Sequence, residues 1–251
     1  MGAAIVTGAA SGIGQATAKR LAKRMTVVAA DRDAAGLAET VGAIEEAGGN
    51  AIAVEVDVTS GQSVRDMIAQ VDAQFEATGD PVEAALFAAG IFIKGPVDGI
   101  TEDDWDRMMD THVKGTFLCC QAALARMVPR GIGAIVTMSS DFAVMAVPDG
   151  AAYCAAKSAI YSMTKSLALE FAGDGIRVNA LGPGPIDTPI LRSGRSEAEY
   201  QAARVSIAAR LPLGRLGQPE EVAAAADFLL SERAAYINGQ IIHPNGGQLT
   251  W

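Results

Sequence analysis

Apolar and polar positions fall in alternating blocks along this chain. Short, continuously apolar runs recur at Ala3–Thr7, Met25–Ala30, Ala51–Val56, Glu83–Phe87, Ile132–Met138, Arg177–Leu181 and Gln240–His243. Unbroken apolar runs of this length predict strands covered on both faces. Helical spacing fills the intervals, at about 15–23, 34–47, 63–77, 102–127 and 151–172, with a last helix starting near Pro219. Gly48-Gly49 closes the second of these and Gly79-Asp80-Pro81 the third; glycines there supply the left-handed cap and proline cannot continue a helix. Thr101-Glu102-Asp103-Asp104 reads as an N-cap followed by an acidic first turn, and Pro219 suits a first helical turn. About seven strands alternating with helices predict an α/β fold, a Rossmann-type doubly wound parallel sheet with helices on both faces. No repeat or linker divides the chain, so one domain is expected over 1–251, with a partly polar substrate loop or lid at about 189–210.

Composition narrows the partners. The net charge of −9 disfavours nucleic acid and anionic membranes. The three cysteines, Cys119, Cys120 and Cys154, lie in apolar helical stretches without metal-type spacing, so neither a disulfide framework nor a metal site is expected. The opening residues run straight into a strand pattern, and no apolar run reaches membrane-spanning length. A cytoplasmic location follows as the expectation.

Two local patterns carry chemistry. Gly8, Gly12 and Gly14 lie between the first strand and first helix, where bare backbone lets a pyrophosphate approach the positive helix end. Asp31, closing the second strand about 20 residues further on, is placed to accept hydrogen bonds from an adenosine ribose. Its carboxylate opposes a 2′-phosphate, and the turn holds no basic residue, so NAD is expected over NADP; Arg32 is the feature that keeps NADP open. Asp57 ends the third strand, where it meets either the adenine edge or only its own backbone in an Asx turn. The second pattern is Tyr153-x-x-x-Lys157, which puts a phenol and an ammonium on one helix face. Ser140, at the end of the apolar run from Gly133, brings a hydroxyl to the same strand end. The same spacing also suits two partly exposed residues on a surface helix.

Taken in order, Thr7-Gly8-Ala9-Ala10-Ser11-Gly12-Ile13-Gly14, Asp57-Val58, Ala89-Gly90, Ser140 with Tyr153-x-x-x-Lys157, Pro183-Gly184-x-Ile186-x-Thr188, Gly214-Arg215-x-Gly217-x-Pro219-Glu220-Glu221-Val222 and the closing Asn238-Gly239-Gln240 with Gly246-Gly247 resemble the short-chain dehydrogenase/reductase family, in its single-domain branch. The resemblance spans essentially the whole chain. It implies reversible hydride transfer between a secondary alcohol and a ketone, or an aldehyde, with Tyr153 as general acid/base. Gly8, Ser11, Gly12, Ile13 and Gly14 would hold the pyrophosphate and ribose, Asp31 the ribose hydroxyls, and Asp57 with Val58 the adenine. Ala88, Ala89 and Gly90 would line the cleft, and Pro183, Gly184, Ile186 and Thr188 would pack around the nicotinamide. Lys157 would bond the nicotinamide ribose and lower the pKa of Tyr153, while Ser140 would hold the substrate oxygen. A homotetramer is also implied, and the apolar faces near Thr116–Met127 and on the Tyr153 helix agree with it.

Two departures stand out. The family's Asn-Asn-Ala-Gly after the fourth strand is Phe87-Ala88-Ala89-Gly90 here, and its fourth catalytic residue, an asparagine, is replaced by His112. An imidazole titrates near neutrality, so His112 either joins the proton relay or merely fills a helix kink, and His112→Asn is expected to alter the pH–rate profile. The substrate itself would meet Asp141, Met145 and Leu191, and lid arginines such as Arg192, Arg195 and Arg204 would meet an anionic group or only solvent. A small, moderately hydrophobic alcohol or ketone is the expected substrate class. The alternatives are an NADPH-dependent 3-oxoacyl-[acyl-carrier-protein] reductase, which Asp31 disfavours, and a non-catalytic dinucleotide sensor, which the intact Ser140, Tyr153 and Lys157 disfavour.

Overall fold

The computed structural model describes residues 2–78, 81–192 and 195–250. Seven strands form one parallel sheet: β1 (Ala3–Thr7), β2 (Thr26–Asp31), β3 (Ala51–Glu55), β4 (Val82–Phe87), β5 (Gly133–Met138), β6 (Ile176–Leu181) and β7 (Ile241–Ile242). Their order is β3-β2-β1-β4-β5-β6-β7. The order in which strands are added reverses between β1 and β4, and such a switch point opens a crevice beyond the carboxyl ends of the strands.

The apolar runs are explained by burial on two sides. Ile5, Val28, Ile135 and Ile176 point into one core layer, shared with Phe75 and Leu124. Ala4, Val6, Val27 and Val136 point into the other, shared with Leu21, Leu37, Val222 and Leu229. The first layer is covered by α3 (Gly61–Thr78), α5 (Gly115–Met127) and α6 (Ala151–Glu170), the second by α1 (Gly12–Leu21), α2 (Ala34–Glu46) and α9 (Pro219–Leu229). The glycine–aspartate stop expected after α3 falls on Gly79 and Asp80, outside the described residues.

The expected helix 102–127 is not one uniform helix. It comprises α4 (Glu102–Met109), a π-helical turn at Asp110–Lys114 and α5. Thr101 caps it as expected, its hydroxyl accepting from Asp104 N. The π turn carries His112, and such turns concentrate at functional sites. The 189–210 stretch contains α7 (Pro189–Arg192) and α8 (Glu197–Ala208), the latter opened by a Ser196–Glu199 capping box; Ser193 and Gly194 lie outside the described residues. Among the described helices none is long and apolar enough to cross a membrane, and among the described residues no His/Cys/Asp/Glu cluster has metal-holding geometry.

Candidate active site

The strand ends and α6 bring Ser140, Tyr153 and Lys157 together as their spacing predicts. Ser140 caps a short 3-10 turn, Asp141–Ala143, and its Oγ accepts from Phe142 N at 3.2 Å. The remaining hydroxyl proton serves Tyr153, whose phenol the Ser140 hydrogen bond pulls toward lower pKa. Lys157 is buried; its Nζ donates to Met138 O at 2.8 Å and lies 5.5 Å from the Tyr153 ring centroid. Ser139 Oγ donates to Lys157 O at 3.0 Å, which ties α6 to the end of β5.

The electrostatics differ from the expectation that lysine lowers the phenol. Burial pushes Tyr153 up to about 12, against the smaller downward pull of Ser140. Burial also pushes Lys157 down to about 7. The physical reason is desolvation: each group loses more by charging in the interior than it gains from its neighbours.

His112 is buried in the π turn. Its Nε2 lies 2.7 Å from Ile91 O and 3.2 Å from Ile91 N, so the ring fastens the loop after β4 to the helix. Its ring stands edge-on to Tyr153, centroids 5.5 Å apart. Gly90 is required beside it, because a Cβ there would lie 2.6 Å from His112 Cε1. Nδ1 is buried and without a partner among the described residues. Burial first, and the Lys157 charge second, lower the imidazole to about 3. His112 is therefore neutral at physiological pH, which corrects the expectation that it titrates near neutrality.

Three aromatic rings surround the Tyr153 ring, Phe92 at 4.9 Å and Phe142 at 6.3 Å joining His112. Phe92 and Phe142 thus give the Tyr153 phenol apolar walls. Nothing in the sequence marks Phe92, because it lies in an irregular loop after β4. That loop is joined to the one after β5 by Gly95 N donating to Asp149 O at 3.0 Å and by a Lys94–Asp149 ion pair at 3.5 Å. Asp149 adopts φ 61°, a strained value for a residue with a side chain.

The residues expected to hold a dinucleotide lie at and after the carboxyl ends of the strands. Gly8 has φ +72°, and a Cβ there would lie 2.8 Å from the Ala88 backbone; a Cβ on Gly14 would lie 2.0 Å from Gly8 O. The turn fits no larger residue at either place. Ser11 starts α1 without capping it through its side chain, and the first turn, including Ile13, has no acidic residue. The helix N-terminus thus keeps its donors for an anion, as a pyrophosphate requires. Gly12 faces Thr188, where an added Cβ would lie 3.3 Å from Cγ2, so the loop after β6 comes close to the turn. Asp31 Oδ2 accepts from Ala10 N and Oδ1 from Asp33 N, both at 3.1 Å, fixing a carboxylate at the end of β2. Asp57 Oδ1 accepts from Thr59 N at 2.9 Å, the Asx turn, and buried Val58 packs on Gly115. Ala88 N and Ala89 N donate to Thr7 O and Oγ1. Pro183 O accepts from Asp141 N, Gly184 N donates to Pro244 O, and buried Ile186 bridges to Gly217. These features together suit a dinucleotide.

The residues expected to meet substrate are less uniform. Met145 and Leu191 are partly buried. Asp141 is 1% exposed, with Oδ1 2.9 Å from His243 Nδ1 and 3.4 Å from Asn245 Nδ2. Sequence patterning missed these two partners, since they follow β7 about a hundred residues away. The lid arginines are engaged locally: Arg192 pairs with Glu197 at 3.1 Å, Arg204 with Asp187 at 2.8 Å, and Arg195 donates to Leu191 O. Tyr200, buried between Arg192 and Arg204, donates to Asp187.

Comparison with known proteins agrees with this geometry. A family model described as enoyl-(acyl carrier protein) reductase matches residues 8–248. The chain is 39% identical to 3beta-hydroxysteroid dehydrogenase 1 of Eggerthella lenta, covering 97% of this chain and 92% of that protein. It is 38% identical to cis-4-hydroxycyclohexanecarboxylate dehydrogenase of Sinomonas cyclohexanicum, covering 97% and 95%, and 34% identical to the 3-oxoacyl-[acyl-carrier-protein] reductase of Thermotoga maritima, covering 97% and 96%. A short-chain type dehydrogenase/reductase from Mycobacterium marinum superposes with a TM-score of 0.91 at 32% identity, covering 100% of this chain and 96% of that one. The chain belongs to the short-chain dehydrogenase/reductase family of oxidoreductases.

Proposed function

We propose that the protein is an NAD-dependent dehydrogenase interconverting a secondary alcohol and its ketone. The observation that carries this reading is the convergence of Ser140, Tyr153 and Lys157 at the end of β5, beside the dinucleotide crevice. Ser140 holds the substrate oxygen against the phenol, an orientation effect. Tyr153 takes the hydroxyl proton during oxidation and returns it during reduction. When bound, the nicotinamide supplies the hydride acceptor. Lys157, one turn along α6 from Tyr153, orients the nicotinamide ribose. His112, neutral, holds the Ile91 loop next to Tyr153, and its free Nδ1 is an acceptor for a water on the path by which protons leave.

Asp31 supports NAD over NADP, since its fixed carboxylate opposes a 2′-phosphate. The named substrates of two relatives, a 3β-hydroxysteroid and a hydroxycyclohexanecarboxylate, are secondary alcohols on rings. With the apolar walls Phe92 and Phe142, they support a ring-borne secondary alcohol here. The local pairing of Arg192 and Arg204 speaks against anion recognition by the lid. Exposed Phe117 on α5 and Leu169 on α6, 47% and 84% accessible, support burial against further copies in a homotetramer.

A second reading, a 3-oxoacyl-[acyl-carrier-protein] reductase, is favoured by the Thermotoga maritima relative. One assay separates them: a panel of cyclic secondary alcohols with NAD and NADP, alongside a 3-oxoacyl thioester with NADH and NADPH. NADH formation from a cyclic alcohol supports the first reading. NADPH-specific thioester reduction without alcohol oxidation replaces it with the second.

A further inference from the structure

Asp141 directly follows Ser140, yet its carboxylate belongs to a different part of the chain. His243 Nδ1 lies 2.9 Å from Asp141 Oδ1 and 3.0 Å from Gly182 O. A carbonyl only accepts, so Nδ1 carries the hydrogen and serves both oxygens. The ring fits because residue 182 is glycine: a Cβ there would lie 2.5 Å from two ring atoms. Asn245 Nδ2 reaches the same Oδ1 at 3.4 Å and Leu249 O at 3.0 Å, and Asn245 Oδ1 accepts from Gly247 N at 2.9 Å. Asp141 N in turn donates to Pro183 O at 3.1 Å. A Cβ on Gly184 would lie 2.9 Å from Asn245 Cα and 3.1 Å from Asp141 Oδ2. One carboxylate therefore joins the serine turn, the Gly182–Gly184 loop and the segment after β7.

The serine turn leans on this junction. Val144 N and Met145 N both donate to Asp141 O, at 3.0 and 2.8 Å, and Phe142 N donates to Ser140 Oγ. A shift of Asp141 thus moves the donor that orients the Ser140 hydroxyl. As packing alone the arrangement is poor: Asp141 Oδ2 is buried without a partner among the described residues, and a half-satisfied buried carboxylate costs stability that an apolar side chain would not.

We infer that the segment His243–Leu249 positions Ser140 through Asp141, so that His243, Asn245 and Asp141 are positioning residues. The inference rests on the dehydrogenase reading only in assigning Ser140 its task. Hydrogen exchange read by mass spectrometry over 139–145 tests the link without turnover. His243→Leu removes the donor, whereas His243→Asn keeps an N–H near the Nδ1 position. We expect His243→Leu to speed exchange at Phe142–Met145 by about tenfold and His243→Asn to stay near wild type. In turnover, His243→Leu lowers kcat by roughly tenfold with NAD affinity unchanged, and the loss largely disappears in a Ser140→Ala background, as coupled residues require. Unchanged exchange in folded His243→Leu overturns the inference, as does an equal loss of kcat with and without Ser140. If His243→Leu does not fold, Asn245→Ala is read by the same two criteria. A wild-type protein that oxidises no secondary alcohol removes the dehydrogenase reading, while the exchange comparison still decides the positional link.

Discussion

Lys157 Nζ sits 5.5 Å from the centre of the Tyr153 ring, and burial drives their pKa values apart, Lys157 down to about 7 and Tyr153 up to about 12. Both shifts have the same leading cause, the loss of water around each group in the interior they share.

Alcohol oxidation needs the deprotonated base and ketone reduction the protonated acid. Burial holds the Tyr153 phenol up at about 12, so we expect kcat/KM for oxidation to keep climbing through the alkaline range and the reductive reaction to hold over the same range. Initial rates in both directions across pH check this. Oxidation that stays flat through that range removes Tyr153 as the proton-transfer residue.

Lys157 also bears on stability. Its folded pKa, about 7, lies below the ordinary 10.5. Between those values the unfolded chain binds more protons than the folded one, so this group's penalty is full below about 7 and is relieved as pH rises toward 10.5. Lys157→Met should remove the penalty, raising Tm near neutrality by a few degrees while abolishing turnover. Thermal melts of both proteins across pH test it; the difference should shrink at alkaline pH.

His112 gives the opposite pH result. Held at about 3 by burial and the Lys157 charge, it does not titrate in the working range. His112→Asn should leave the shape of the pH–rate profile unchanged between about pH 6 and pH 9 while lowering kcat by no more than about tenfold. A displaced limb in that profile would restore His112 to a titrating role.

Asp31 sets the cofactor prediction. Asp31→Ala removes the anchor of Ala10 N and Asp33 N, and with it the carboxylate proposed to accept from ribose hydroxyls. KM for NAD should rise by about tenfold or more and the preference over NADP should shrink, because a charged acceptor is lost and a repulsive charge with it. Steady-state kinetics with both dinucleotides measures the ratio.

Much of the fold and of the candidate site is legible in the sequence. Strands buried on both faces leave unbroken apolar runs, and the spacing of Tyr153 and Lys157 states their common face. The Gly8–Gly14 turn and Asp31 are local and readable for the same reason. The π turn around His112 was not, because one extra residue in a helical turn leaves the apolar period almost unchanged. Desolvation was not legible either: the sequence suggests that Lys157 lowers Tyr153, but in the folded chain burial raises the phenol and the downward pull comes from Ser140. The Asp141–His243 contact joins residues brought together only when β7 pairs with β6, which no local pattern encodes. Phe92 escaped notice as one apolar residue in a loop.

The most direct test of the account is NADH formation from a cyclic secondary alcohol by the wild-type protein and by Tyr153→Phe, with NAD binding measured in both. The substitution removes one hydroxyl and keeps the ring packed against Phe92 and His112. We expect turnover to fall by about a thousandfold or more with NAD affinity within about threefold of wild type. Turnover near the wild-type level in Tyr153→Phe would contradict the assignment of Tyr153 as the proton-transfer residue.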